Sequence, residues 1–253
     1  SYTDPDMVYF KAKKQDSENV VFFNTFTQRL FDNPELTQEE AIRQMYPGIS
    51  GVQTAEKLQE NFMADVYIQA AIRQEIVVQL IRNHVPVKLH GHNWDTFLTK
   101  AEVLMKDNLT FIKEFVKVCG EVTYGELPAI YNNARLSINQ LPWFKAGIHD
   151  RTPLALMNGC LSLTDASTYL TDILNIGENE GVYTYSLENI EAVPDIIMDI
   201  LNNTADDNCV PEIINSLSDK DCVLENINSL SDNARAYAHK HFSWKCWVDK
   251  FLD

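Results

Sequence analysis

Between Gly147 and Asp165 the chain reads GIHDRTPLALMNGCLSLTD, with three ionisable side chains, His149, Asp150 and Arg151, directly before an apolar stretch of helical character. The first-turn N–H groups of a helix have no partners within it, so a helix start carrying two potential cations suits an anion. Asp150 can serve as the N-cap, and Pro153 is tolerated in the first turn because its missing N–H would have no helical partner there. Gly147 lets the backbone approach a ligand closely. Arg151 offers a planar fork for phosphate oxygens, and His149 or Lys145 can add a second positive contact. The same residues also have a plainer use: Arg151 can pair with Asp150 or another acid on a solvated face, and His149 can cap or pack.

Composition narrows the choice of anion. Across 253 residues, 21 basic side chains stand against 36 acidic ones, a formal charge of -15, which repels nucleic acid and acidic membrane surfaces at long range. Small anionic ligands remain open, because local cations can hold one against a distant field. The five cysteines, Cys119, Cys160, Cys209, Cys222 and Cys246, show no C-x-x-C spacing, so neither a zinc knuckle nor a redox pair is signalled and buried free thiols are expected. No carboxylate cluster demands a metal. No apolar run reaches the ~18 residues of a spanning helix, and Ser1-Tyr2-Thr3-Asp4 does not open a signal peptide, so a cytoplasmic location is expected.

The elements that must position the motif follow from periodicity and punctuation. Short helices are expected over residues 1 to about 50, one of them begun by a capping box at Thr37-Gln38-Glu39-Glu40. Val52 to Asn83 carries helical spacing with no internal proline or glycine, which predicts one long helix or two in close succession. Val85 to Gly91 (VPVKLHG) predicts a strand, Glu126 to Ala134 a short helix, Arg135 to Asn139 a strand, Thr152 to Asn158 a helix closed by Gly159, and Cys160 to Thr164 a strand. Val182 to Tyr185 predicts a further strand and Leu187 to Asn202 a helix bent near Pro194. Strands alternating with helices imply a parallel sheet, here over about residues 85 to 185, with ligands beyond the carboxyl ends of its strands. The segment after Pro211 is helical in pattern, repeats INSLSD at Ile214 to Asp219 and Ile227 to Asp232, and ends with Phe242, Trp244, Trp247, Phe251 and Leu252 in an amphipathic stretch suited to docking on the domain.

Val122 to Asp165, VTYGELPAIYNNARLSINQLPWFKAGIHDRTPLALMNGCLSLTD, resembles the carboxyl-terminal nucleotide-binding half of GT-B glycosyltransferases. The likeness is to bacterial families sharing a Tyr-Gly-Glu-Leu-Pro-x-x-Tyr helix, a strand ending in Asn, a His-Asp-Arg helix start and a small-residue turn into a Thr-Asp strand end. VPVKLHGHNWDTF, Val85 to Phe97, is similar to the first strand and loop of that half, and HFSWKCWVDKFLD to its terminal helix, so the resemblance spans roughly residues 65 to 253. It implies an α/β fold with a Rossmann-like parallel sheet and flanking helices. Residues 1-65 would be a helical connector or the remnant of a preceding domain, and 66-253 the donor-nucleotide-binding domain with its carboxyl-terminal helices.

The activity implied is metal-independent glycosyl transfer from a nucleotide-diphosphate sugar, with no cofactor, to an acceptor bound mainly by a preceding domain, so this chain alone is expected to transfer no sugar. His149 and Arg151 would be catalytic, stabilising charge on the departing phosphate. Donor contacts are implied for Gly91, His92, Tyr124, Glu126, Tyr131, Asn139, Lys145, Gly147, Ile148, His149, Asp150, Arg151 and Asp165. Several of these have alternatives in the residues themselves. Tyr124, Glu126 and Tyr131 can line a base or simply follow a short amphipathic helix; His90 and His92, flanking Gly91, can touch sugar or phosphate or merely close a strand; Trp94 suits packing; Asp165 can form an Asx turn or a polar contact. Related families place a glutamate, which meets the ribose, near the position of Leu154, so a non-catalytic binding or assembly module of the same fold stands as the alternative.

Overall fold

The computed structural model of the chain describes residues 1–14, 17–106, 109–174, 176–203 and 224–243. They form two compact units, one of Ser1–Val122, Gln140–Lys145 and Ser186–Pro194, the other of Thr123–Asn139, Ala146–Tyr185 and the described part of Asp195–Asp253.

In the first unit, helices α1 (Pro5–Ala12), α2 (Ser17–Asp32), α3 (Gln38–Met45), α4 (Gly51–Glu60) and α5 (Phe62–Arg82) precede β1 (Val87–His90), α6 (Trp94–Met105), α7 (Leu109–Phe115) and β2 (Val116–Gly120). The capping box forms as read: Thr37 Oγ1 accepts the Glu40 N–H at 3.2 Å and Glu40 Oε2 accepts the Thr37 N–H at 2.9 Å. These bonds to the ionised form hold the Glu40 carboxyl below its usual range. The long helical stretch is two helices because Asn61 leaves helical geometry (φ -115°, ψ 27°) and its Nδ2 donates to Lys57 O at 3.0 Å, satisfying a carbonyl at the end of α4. The carboxyl-terminal half of α5 buries Ile76, Val77, Val78, Leu80 and Ile81. Val77, Val78 and Ile81 pack with Leu89, Trp94, Phe97, Leu98, Ile112 and Val116 around the parallel β1–β2 pair.

The second unit opens with a 3-10 turn at Tyr124–Glu126, then α8 (Leu127–Asn132), β3 (Leu136–Ile138), α9 (Arg151–Met157), β4 (Leu161–Asp165), a π-helical turn at Tyr169–Ile173, a 3-10 turn at Glu178–Glu180 and β5 (Val182–Tyr185). β3, β4 and β5 pair in sequence order, all parallel, with Leu136 opposite Leu161 and Asp165 opposite Tyr185. Every residue of the central strand β4 is buried, as a parallel strand covered on both faces requires. After a 3-10 segment at Leu187–Ala192 come α10 (Val193–Asn203) and α11 (Leu224–Phe242). Leu156, Leu170, Val182, Ala234 and Ala238 form the core that joins α9 and α11 to this sheet. At Gly181 (φ +78°) a Cβ would lie 2.9 Å from Leu161 Cδ2 and 3.1 Å from Ala234 Cβ, so the approach to β5 has no room for a side chain.

The chain is thus mixed α/β and mostly helical, with small parallel sheets flanked by helices. One expectation changes. One sheet over 85 to 185 becomes two, because the unforeseen strand β2 supplies the hydrogen-bond partners of β1. Residues 65 and 66 both lie in helix α5. The bend expected near Pro194 lies just before it: Asn189 is non-helical (φ -135°, ψ 61°), and Pro194 is the second residue of α10, where its lack of an N–H is harmless. Cys209, Cys222, Cys246, the first INSLSD copy, Trp244, Trp247, Phe251 and Leu252 lie outside the described residues, whereas the second copy lies in α11. Among the described residues no helix is long and apolar enough to cross a membrane.

Phe97 is fully buried between Tyr2 and Trp94, with ring centroids at 5.3 and 5.7 Å. Phe97→Ala should therefore cost about 3–5 kcal/mol, measured as a lower urea midpoint, while Tyr124→Ala, at a residue 68% exposed, should leave the midpoint unchanged.

Candidate functional site

The carboxyl edge of the β3–β4–β5 sheet gathers polar side chains out of water. Each of its three strands ends, or is directly followed, by one: Asn139 after β3, Asp165 at the end of β4 and Tyr185 at the end of β5, all 4% exposed or less. Asn139 extends the ladder by one bond, its N–H donating to Leu163 O at 2.8 Å. The Tyr185 hydroxyl donates to Asn139 O at 3.0 Å. Burial, with the Asp165 carboxylate second, pushes the Tyr185 phenol well above its usual range, so the hydroxyl stays a donor at any physiological pH.

Between β3 and β4 the chain passes through the His149–Asp150–Arg151 motif. The expectation that Asp150 caps α9 is corrected: its backbone is already helical (φ -55°, ψ -23°) and its side chain makes no capping bond. A side chain caps from an extended backbone, which lets its oxygen turn back to the free N–H groups. The Asp150 carboxylate instead pairs with His149 Nδ1. The Arg151 N–H points at that same nitrogen, at 3.2 Å. A bare Nδ1 accepts from Arg151 and one bearing a proton donates to Asp150, so the two contacts belong to different placements of the ring proton.

The Arg151 side chain is exposed, and among the described residues no carboxylate oxygen lies within ion-pair distance of its guanidinium. Its charge reaches Tyr131, whose phenol is raised by burial and partly lowered again by Arg151. Thr152 is buried, its hydroxyl 3.4 Å from that of Ser162 on β4. Leu154 packs against the buried group of Tyr131, Ala155 and Cys160. Ile148 packs at the edge of the Leu156–Leu170 core, beside the partly buried Gly147. Tyr124 is exposed, and Glu126 completes a capping box by accepting from Thr123 N (2.7 Å) and Oγ1 (2.8 Å), which lowers its carboxyl pKa.

Gly91, His92 and Lys145 belong to the first unit. At Gly91 (φ +112°) a Cβ would lie 2.5 Å from Ser1 N, so its close approach is to the chain's own backbone, and Tyr2 N–H donates to His92 O at 2.8 Å. His92 faces Glu121 at 2.6 Å, and Lys145 faces Glu35 at 3.3 Å. Burial, then Lys88, lowers the pKa of the neighbouring His90. That unit also holds a cavity of about 330 Å³ lined by Leu30, Phe31, Tyr67, Ile72 and Trp143 among others. Of the polar groups on its wall, Asp6 pairs with Lys100, Gln74 accepts from the Tyr2 hydroxyl and Glu75 from Gln79 Nε2.

Three residues of the second unit escaped the sequence reading. Tyr185 stood only as the last residue of a strand, and Thr152 only as a helix start. Arg235 of α11 bonds Asn132 Oδ1 at 3.3 Å and Asn158 O at 3.4 Å, joining the ends of α8 and α9. Its guanidinium fills the space beside Gly159, where a Cβ would come within 2.6 Å. No local pattern announces a contact between residues so far apart in sequence. Among the described residues no cluster of His, Cys, Asp and Glu could hold a metal ion.

Cys160 is fully buried and its thiol is pushed up to about 12. Iodoacetamide at pH 8 should leave Cys160 unmodified in the native chain and modify it after unfolding, with mass spectrometry of the digest as the readout. No family model, curated protein or solved structure matches the chain.

Proposed function

We propose that the second unit binds a nucleotide-diphosphate sugar at the carboxyl edge of its parallel sheet and is the donor-binding part of a glycosyltransferase, a Rossmann-like half of the GT-B kind. The observation that carries this reading is Arg151. In a chain of net charge -15, a guanidinium beside the ligand edge of a parallel sheet has no carboxylate partner among the described residues. Of the other cations named for the donor, Lys145 and His92 each face an acid. A fork left open beyond the strand ends suits a diphosphate. In glycosyl transfer the bond from the anomeric carbon to the phosphate oxygen breaks and charge grows on the departing diphosphate. A guanidinium aimed there stabilises that charge more than the ground state. His149, whose ring nitrogen meets both Asp150 and the Arg151 N–H, would set the geometry of the same turn.

A second reading has its own support. Leu154 stands near the place where the families this chain resembles carry a ribose-binding glutamate, and it packs against Tyr131, Ala155 and Cys160. A unit without that carboxylate could bind the nucleotide and transfer nothing, serving as a non-catalytic binding or assembly module.

Calorimetric titration with UDP, UDP-glucose, GDP and GDP-mannose tests binding. Arg151→Ala should weaken the diphosphate by about 1.5–3 kcal/mol with little change in melting, and should weaken the free nucleoside much less. Arg151→Lys should recover part of the loss, because it keeps the charge and not the fork. Equal weakening of nucleoside and diphosphate, or none in a protein that melts like the parent, would remove Arg151 from the phosphate. Turnover of the sugar nucleotide with an acceptor separates an enzyme from a binding module.

A further inference from the structure

Asn139 is held in an arrangement that costs stability. Among the described residues it alone has both side-chain polar atoms, Oδ1 and Nδ2, buried without a hydrogen-bond partner. Its backbone, by contrast, is fully used: the N–H donates to Leu163 O at 2.8 Å and the carbonyl accepts the Tyr185 hydroxyl at 3.0 Å. Its backbone position is thus pinned at both main-chain groups. The pin is long-range, since β5 and β3 are separated by β4 and the Tyr185 hydroxyl spans the end of the central strand. Register also places the carboxamide. Ile138 lies opposite Leu163, so Asn139 continues opposite Thr164, and alternation puts it on the sheet face of Ser162, which meets Thr152 of α9. Buried amides are ordinarily satisfied, and a conspicuous exception calls for a reason.

We propose that Asn139 is a recognition side chain for an uncharged group of the ligand that both donates and accepts a hydrogen bond, and that Tyr185 is the residue that positions it. The proposal rests on the reading of this edge as a sugar-nucleotide site and adds which part of the ligand the edge reads. A carboxamide has donors and an acceptor and no charge, so it complements a sugar hydroxyl or the amide edge of a nucleobase rather than a phosphate. Its atoms are closed to solvent, so the ligand reaches them through a local opening of the edge.

The test uses the full chain, melting curves, and titration with UDP against UDP-glucose and GDP against GDP-mannose. Asn139→Leu, similar in size and apolar, should raise the melting temperature by about 2 °C or more and weaken the bound sugar nucleotide about tenfold, the worth of one to two lost hydrogen bonds. A loss confined to the sugar nucleotide identifies a hydroxyl of the transferred sugar, and an equal loss for the diphosphate identifies the nucleoside, through its ribose hydroxyls or its base edge. Tyr185→Phe keeps the ring, should lower melting slightly, and should weaken the same ligands; added to Asn139→Leu it should weaken them no further, because nothing remains to be positioned. Additive losses would make Tyr185 structural and end its assigned role. A lower melting temperature for Asn139→Leu, or unchanged affinity, would overturn the recognition role itself. If the native chain binds none of the four probes, the sugar-nucleotide reading fails; the melting of Asn139→Leu then still decides, a rise keeping a recognition role toward another neutral ligand and a fall ending it.

Discussion

Parallel strands cannot be joined by a tight turn, and much of the second unit follows from that constraint. A chain leaving β3 at Ile138 must cross over before it can pair again at Leu161, and it does so through the loop ahead of α9 and α9 itself. The same requirement separates Asp165 from Val182 by two irregular helical turns. Every strand therefore releases its chain at the same edge, where backbone groups run out of ladder partners and polar side chains take over. Asn139, Asp165 and Tyr185 meet there because the three strands share one direction and consecutive order. An antiparallel arrangement would have sent Asp165 to the opposite edge.

Charge adds a second level of organisation. Acid is in excess, and within the first unit Lys57, Lys100 and Lys145 each meet a carboxylate. His149 competes for Asp150 inside the motif itself, removing the carboxylate nearest to Arg151 in sequence. Among the described residues the neighbouring guanidinium has no carboxylate within ion-pair distance.

How much was legible depended on the range of the interaction. Local chemistry was readable: the Thr37–Glu40 capping box, the strand over Val182 to Tyr185, and Gly159 (φ +74°) just past α9 all stand where periodicity and turn residues place them. Asp150 shows the limit of local reading, because residue type suggested a cap while the backbone entering α9 denied it the necessary extended geometry. β2 was missed because it follows α7 without a break and interleaves Lys117 and Cys119 with valines, so neither an apolar run nor a turn announces it. Tyr185 to Asn139 and Arg235 to Asn158 were out of reach altogether, since sequence separation hides a contact that only the sheet order and the α11–α9 packing create.

Leu154 shows how packing and recognition compete for one helix. α9 has only the seven residues Arg151 to Met157, and Thr152, Ala155 and Leu156 are committed to burial against the sheet and α11. Leu154 adds apolar contact toward Tyr131 and Cys160, in a group whose thiol and phenol are both shifted upward by burial. A carboxylate at that position would lose hydration beside groups already held in their neutral forms, and would set a negative charge one helical turn from Arg151. Such a helix uses its middle for packing, while its first turn and the strand ends keep the polar side chains. By chemistry alone the guanidinium of Arg151 suits charge and the carboxamide of Asn139 suits neutral polar groups.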